Sequence, residues 1–163
     1  MELTDESWER VRTLFRQAFK TSLHYAFATV GEDGTPRATP IGSLILAHDR
    51  TGFYFEEYAS GLQRNLSANK RVCILAVRTS KWRFLKAMLV GRATEPFAVR
   101  LMGTVGERRA ASEEEIALFG RRVARYRMLK GHDLLWGRMT HVRDIAFDSY
   151  EPVRIGTLED GRR

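Results

Sequence analysis

Cysteine is almost absent from this sequence, and so are long apolar runs. Cys73 is the only cysteine among 163 residues, so no intrachain disulfide can form, and we expect a reducing, cytoplasmic location. Because Cys73 lies in the apolar run 72–77, which predicts a buried strand, we interpret it as an inert core thiol. No apolar run approaches the ~20 residues that cross a bilayer, and the acidic N-terminus lacks the basic region of a signal peptide, so we expect no membrane partner.

Acidic residues are fewer than basic ones, 20 against 27, which gives a net charge of +7. Such a balance favours an anionic partner: nucleic acid, a membrane surface or a phosphorylated small molecule. Arginines concentrate at 108–109 and at 121–127. The second group is more typical of the solvated side of a helix than of a nucleic-acid stripe, so we expect no nucleic-acid partner.

The motifs of several common catalytic sites are also lacking. Ser43 and Ser60 have no neighbouring base, and no Gly-x-Ser-x-Gly elbow occurs, which argues against a serine nucleophile. Glu56 and Glu57 follow a strand, where alternation sends their side chains to opposite faces, so they are poor partners for acid–base catalysis. The histidines have no metal-ligand spacing, and we expect no metal site. They are His24, His48, His132 and His141.

The length fits one domain spanning residues 1–163. Apolar residues at helical spacing predict an N-terminal helix over 5–20, which Thr4 can cap. From Tyr25 the period becomes two, and the order of elements predicts a mainly β protein with flanking helices (α+β), built on an antiparallel six-stranded barrel. The other predicted elements are strands at 25–30, 36–46, 53–56, 71–78, 98–106 and 140–149, helices from Ser60 and from Ser112 to about 130, and a tail at 151–163. An insert at about 82–90 fits either a strand or a helix, and we favour a short amphipathic helix because Leu85, Met88 and Leu89 share a face.

The segment 53–65 contains a candidate anion site. An aromatic strand leads through Tyr58 into a short helix that opens at Ser60. The first turn of a helix offers unpartnered backbone N–H groups, and the Ser60 hydroxyl and Arg64 lie close by, which suits a phosphate. Ser60 and Gln63 also have the spacing of a reciprocal N-cap pair, so a well-capped connector helix that binds nothing is the alternative.

The predicted strand 36–46 is unusual. Pro40 cannot donate a ladder hydrogen bond, so on one side this strand is an edge or meets something other than a strand. The small residues Ala38 and Gly42 would let a flat group approach the backbone, and the exposed backbone around Thr39 and Ile41 could pair with the polar rim of an aromatic heterocycle. The alternative is an edge that proline protects against aggregation.

In these and neighbouring segments, the sequence resembles the pyridoxamine 5′-phosphate oxidase-like flavin-binding split barrels. The similarity covers roughly residues 5–150 as an order of elements. It implies a split-barrel homodimer with two FMN sites at the subunit interface, the deazaflavin F420 being a relative of the same shape. Some split barrels bind haem, so a histidine that serves as an axial haem ligand is a further alternative. His48 and His132 are the candidates in loops. The segments that carry the resemblance are 25–30, 33–36, 39–41, 53–55, 60–66, 69–72, 101–105 and 112–115.

Carried over position by position, the resemblance implies that the isoalloxazine lies along the backbone of Thr39, Pro40 and Ile41. The phosphate would lie near Ser60, Arg64 and Asn65. Tyr58 and Gln63 are further expected cofactor contacts, and so are Trp82 and Lys86 of the insert, where Trp82 would cover the flavin ring from the partner subunit. A surface helix is the alternative for that insert.

The chain departs from the family pattern at two places. Family members usually carry a lysine, often after an arginine, just beyond the serine, whereas this chain has Gly61 and Leu62, so we expect Arg64 to be the principal cation at the phosphate. The chain also lacks the Arg-Leu-x-Pro ending of true pyridoxamine phosphate oxidases, which argues against that activity. The expected function is a flavin-dependent oxidoreductase with a small-molecule redox substrate of unknown identity; the alternative is a non-enzymatic binder on the same scaffold.

Overall fold

The first helix, α1, spans Asp5–Ser22, against a predicted 5–20. A computed structural model describes residues 1–57, 60–78, 85, 88–90, 96–126, 128, 137 and 139–153. Thr4 caps α1 as predicted, because its hydroxyl accepts a hydrogen bond from the Ser7 N–H at 3.2 Å while the Thr4 N–H donates to the Ser7 hydroxyl at 2.9 Å. The apolar side of α1 then packs on the sheet through Trp8, Val11, Leu14, Phe15, Ala18 and Phe19.

In the described part of the chain, seven strands form one sheet in the order β2-β1-β5-β6-β7-β4-β3, and every neighbouring pair is antiparallel. This confirms the predicted mainly β, antiparallel architecture with flanking helices. The described strands run in an open order, with β2 and β3 at the two ends. Their bounds are β1 Tyr25–Val30, β2 Pro36–Ile41, β3 Ile45–Leu46, β4 Thr51–Phe55, β5 Arg71–Val77, β6 Ala98–Ala110 and β7 His141–Val153.

The sheet has seven strands rather than six because the predicted strand 36–46 is interrupted. Pairing with β1 ends at Ile41, and β3 pairs with β4 instead. Between them the backbone passes close to the end of α1: a Cβ at Gly42 would lie 2.8 Å from the Leu23 carbonyl oxygen. The glycine is therefore required by this close approach.

The strand β5 shows that the prediction for Cys73 was wrong. Val72, Ile74 and Ala76 are buried, whereas Cys73 is only partly buried on the opposite face. Because successive side chains of a strand alternate, an apolar run alone does not reveal which of its residues face the core. Partial burial still raises the pKa of the Cys73 thiol, which disfavours the reactive thiolate.

Two further helices have both ends within the described residues: α2 spans Ser60–Ala68 and α3 spans Glu113–Val123, followed by a 3₁₀ turn at Ala124–Tyr126. The Ser112 capping box of α3 is present as predicted. Beyond Tyr126, most of the predicted helix end lies outside the described residues. Of the predicted insert, residues 85 and 88–90 are helical. No described helix is both long and apolar enough to cross a bilayer.

The expected solvated position of the arginine group 121–127 was wrong for Arg122. Its guanidinium lies 3.6 Å from the centre of the Phe19 ring and donates a hydrogen bond of 2.9 Å to the Tyr25 hydroxyl. Helical spacing places Arg122 on α3 but does not reveal that α1 and β1 approach that face.

Candidate functional site

The residues predicted to lie along a flat ligand are in β2, at one end of the sheet. β2 pairs with β1 through Thr39 opposite Phe27 and Ile41 opposite Tyr25. On its other side, β2 has no strand partner among the described residues. Thr39 is partly buried, Pro40 is exposed and Ile41 is buried. The predicted edge strand is therefore confirmed, and backbone groups of β2 on the side away from β1 remain available.

The other predicted half of the site is the N-terminal turn of α2. Ser60 is the first helical residue, and both Ser60 and Arg64 are exposed. Neither forms a hydrogen bond or ion pair with another described residue. A Cβ at Gly61 would have no atom within 4 Å. This side of α2 is thus open, with one cation that has no acidic partner in the described part of the chain.

The predicted capping pair of Ser60 and Gln63 was wrong. No hydrogen bond joins the two residues, because Ser60 is itself helical and the Gln63 amide donates, at 3.5 Å, to the carbonyl of Glu56. Leu62 points the opposite way from Arg64, into the core, and is 1% exposed. Position 62 therefore cannot offer a side chain to a ligand at the surface of α2.

Asn65 connects α2 to the sheet. It is 3% exposed, and its amide nitrogen donates a hydrogen bond of 2.9 Å to the hydroxyl of Thr29 on β1. Its amide oxygen accepts from Arg37 at 3.3 Å. Both polar atoms of Asn65 are consequently engaged within the protein, on the face of α2 that packs against β1.

Arg37 is a cation near this site that the sequence interpretation missed. It donates to Asp33 at 2.9 Å across the β1–β2 turn, in addition to its bond to Asn65. The hydrogen bond from Arg37, helped by the Thr35 N–H, lowers the pKa of Asp33 to about 2, so the pair stays ionised at neutral pH. The available signal was the Asp-x-x-x-Arg spacing around a tight turn, which brings an acid and a base together.

Glu56, between β4 and α2 in the chain, belongs to a buried polar group that the sequence did not indicate. Glu56 is 1% exposed, accepts a hydrogen bond of 2.7 Å from Arg143 on β7, and accepts another of 2.9 Å from the Tyr54 hydroxyl. Burial, followed by the negative charge of Glu56, raises the pKa of Tyr54. The same network therefore keeps Tyr54 protonated and anchors the end of β4.

Glu57 lies apart from Glu56, as the alternation predicts. Its carboxylate accepts hydrogen bonds of 2.7 Å from the backbone N–H groups of Thr140 and His141. Burial alone would raise the pKa of Glu57, but these N–H donors outweigh it and the pKa is lowered. The two acids consequently serve separate structural contacts.

No cluster of three or more potential metal ligands occurs among the described residues. His48 is exposed and lies beside Arg12, with 2.8 Å between the Arg12 guanidinium and the ring. His132, the other loop candidate, lies outside the described residues, and so do three expected cofactor contacts: Tyr58, Trp82 and Lys86.

Solved structures with similar folds cover nearly all of this chain. An FMN-binding protein from Syntrophomonas wolfei is 12% identical, with a TM-score of 0.60, and the match covers 92% of this chain and 94% of that one. An F420 reductase is 14% identical, with a TM-score of 0.56 and coverage of 85% and 97%. HutZ, a haem storage protein from Vibrio cholerae, is 14% identical, with a TM-score of 0.52 and coverage of 84% and 90%. At these identities the similarity shows a shared fold.

Sequence comparison supplies the family. No curated protein matches the chain significantly in sequence. The model of the family described as pyridoxamine 5′-phosphate oxidase, however, matches residues 13–146, which include the second half of α1, all of β1 to β6, α2 and α3, and the first half of β7. The chain therefore belongs to the pyridoxamine 5′-phosphate oxidase family.

Proposed function

We propose that this protein binds FMN, with the phosphate at the first turn of α2 and the isoalloxazine along the edge strand β2. The observation that carries the proposal is Arg64, an exposed cation without an acidic partner among the described residues, one helical turn after Ser60. Family membership and a similar fold in an FMN-binding protein support the choice of cofactor.

The phosphate half rests on the chemistry of α2. Ser60 and Arg64 are four residues apart, so their side chains project from the same side of the helix. The sequence of α2 contains no acidic residue that would repel an anion. The N-terminal turn of a helix adds its own N–H groups and the positive end of the helix dipole. At Gly61 the open space leaves room for a phosphate to approach the backbone.

The proposed binding of the isoalloxazine ring depends on β2 and on how β2 is connected to α2. Backbone groups of Thr39 to Ile41 that face away from β1 can pair with the polar rim of a flavin ring. β1 holds both parts, since it pairs with β2 along its whole length and binds α2 through the bond from Asn65 to Thr29. We therefore assign Asn65 a positioning role, in place of the phosphate contact that the resemblance implies.

A bound flavin would supply the redox chemistry, while the protein binds and orients it and excludes water. We propose that the protein is an oxidoreductase with a small-molecule redox substrate and works as a homodimer that completes each site. The helical residues Leu85, Met88, Leu89 and Val90 are exposed apolar side chains, which is consistent with a contact between copies. Tyr58, Gln63, Trp82 and Lys86 remain candidate contacts to the cofactor.

The test is a titration of the purified full-length protein with FMN and with riboflavin, which lacks the phosphate. Arg64→Ala should weaken the binding of FMN by ~1.5–3 kcal/mol, which is tenfold or more in affinity, and leave the binding of riboflavin nearly unaffected. Lys70→Ala is the matched control, because Lys70 follows α2 and is already paired with Glu107. An equal response of FMN and riboflavin to Arg64→Ala would contradict the phosphate assignment.

The same preparation distinguishes the related cofactors. A flavin absorption spectrum supports FMN, a Soret band identifies haem, and preferential binding of F420 identifies the deazaflavin. If the protein binds none of FMN, haem and F420, it has the fold of the family without such a cofactor. If the flavin-loaded protein turns over with a nicotinamide donor, it is an enzyme; stable binding without turnover identifies a flavin store.

A further inference from the structure

A second cleft lies away from β2 and α2, between α1, β3 and α3. Its volume is about 370 Å³, which is within the range of small-molecule sites. None of the described candidate residues of the FMN site lines it. Any ligand that it binds would therefore be additional to the flavin.

The floor of this cleft is apolar. It combines aromatic rings of α1 and β1 with aliphatic side chains from the segment around β3 and from α3. Such a surface favours the apolar body of a ligand, because burying apolar area from water is favourable. The floor residues are Phe15, Phe19, Tyr25, Leu44, Ile45, Leu46 and Leu118.

The charged side chains among the described lining residues are all cationic. No acidic side chain lines the cleft, and only one of its cations, Arg12, has a carboxylate partner among the described residues, namely Glu9. The cations of α1 recur every fourth residue and so share one side of the helix. The five cations are Arg12, Arg16, Lys20, Arg122 and Arg125.

Arg122 is held firmly in this lining without a counter-ion among the described residues. It stacks on Phe19, donates to the Leu44 carbonyl, and donates at 2.9 Å to the Tyr25 hydroxyl. The Tyr25 hydroxyl in turn donates to the Phe15 carbonyl at 2.9 Å. All of these partners are neutral, so no described residue compensates the positive charge of the partly buried guanidinium, and an anion in the cleft would compensate it.

We propose that this cleft binds an amphipathic organic anion: an aromatic ring or short acyl chain with one carboxylate, sulfonate or phosphate group. The apolar body contacts the floor, and the anionic group faces Arg122 and the cations of α1. A polynucleotide does not suit the site, because an apolar floor of this kind lacks partners for a long charged backbone. The proposal is independent of FMN binding, since the two sites share no described residue.

The probe is anilinonaphthalene sulfonate, which fluoresces on entering an apolar site, added to the full-length protein with and without saturating FMN. We expect saturable binding that decanoate displaces and that decanol, its uncharged analogue, displaces far less. FMN should leave it unchanged. If decanol competes as well as decanoate, the anionic group is irrelevant and the proposal is wrong; if FMN displaces the probe, the cleft is not a separate site.

Two variants locate the probe. Arg16→Glu should lower the affinity for the probe and for decanoate by about tenfold or more, which corresponds to the loss of one charge-assisted contact. Arg10→Glu is the matched control, because Arg10 carries the same charge on the same helix but does not line this cleft. Equal weakening by both variants would reduce the effect to general surface charge and overturn the proposal.

Leu118→Trp tests the apolar part without changing the charge. Leu118 is 40% exposed, so the larger side chain can fill the cleft without disturbing the core. It should abolish probe binding while the circular dichroism spectrum and FMN affinity remain those of the parent protein. Unchanged probe binding in a folded Leu118→Trp protein would show that the probe binds elsewhere and would overturn the proposal.

Discussion

The side-chain amide of Asn65, on α2, donates a hydrogen bond of 2.9 Å to the hydroxyl of Thr29, on β1. Both residues are buried, at 3% and 2% exposed. The bond joins elements 36 residues apart in the chain and fixes the helix that carries Ser60 and Arg64 against the strand that pairs with β2. This contact therefore helps to set the geometry of the proposed FMN site.

Thr29→Val should lower the free energy of unfolding by about 1–3 kcal/mol, because the Asn65 amide loses its buried acceptor. Urea unfolding measures this change, and FMN affinity should fall as well. Ser67→Ala is the control, since Ser67 is an exposed residue of α2 whose hydroxyl bonds only the Gln63 carbonyl among the described residues. A Thr29→Val protein as stable as this control would show that the buried bond contributes nothing.

Gly61→Lys should tighten FMN binding and leave riboflavin unchanged, since an added side chain at position 61 meets open space beside the proposed phosphate. Leu62→Lys should instead destabilise the protein, because it places an ammonium group in the core. FMN titration and thermal unfolding of the two variants measure these effects. Tighter FMN binding by a stable Leu62→Lys protein would contradict the observed orientation of α2.

Glu56→Gln should destabilise the protein by about 3–5 kcal/mol, because Arg143 is left as a buried charge without its counter-ion. Replacing both partners, as in Glu56→Leu with Arg143→Met, should recover much of that loss. Glu151→Gln breaks the exposed pair with Arg100 and should cost about 1 kcal/mol or less. Chemical denaturation compares the three proteins, and equal losses for the buried and exposed pairs would refute the distinction.

Alkaline pH should destabilise the protein through Tyr54. Its pKa is raised in the folded state, so above about pH 10 the unfolded chain releases a proton that the folded protein retains. The stabilisation that comes from keeping Tyr54 protonated is fully present below about pH 10 and is lost as the pH rises further. Above that pH, the free energy of unfolding should therefore decline less steeply in Tyr54→Phe than in the parent protein. Urea unfolding across about pH 9 to 11 measures the slopes. The raised pKa is wrong if tyrosinate absorbance, compared with Tyr54→Phe, shows Tyr54 ionising near pH 10 in the folded protein.

Several features of this fold follow from residues that are close together in the sequence. The Thr4 cap, the Ser112 capping box and the alternating burial of β1 were all predictable. Each depends on hydrogen bonds or side-chain directions set within about four residues. Pro40 likewise marked an edge strand, because a missing N–H excludes a ladder on that side whatever the rest of the fold.

Features that depend on distant segments were missed or misassigned. Arg122 stacks on Phe19 and bonds Tyr25, 97 residues away, and the helical period of α3 carries no information about that neighbour. Position 42 requires glycine because any side chain there would collide with the Leu23 carbonyl oxygen. Leu62 faces the core because α2 packs against the sheet on that side.

The sequence alone thus determined most of the helices and strands, although not the break between β2 and β3. It also determined the edge position of β2 and, through family resemblance, the kind of site to look for. Tertiary structure decided which side of α2 is open, that Asn65 binds Thr29, and that cations from two helices gather around one apolar cleft. The physical reason is that the hydrogen bonds of a helix and the alternation of side chains along a strand are specified locally. The partner of a buried charge, by contrast, is specified only when the chain brings remote segments into contact.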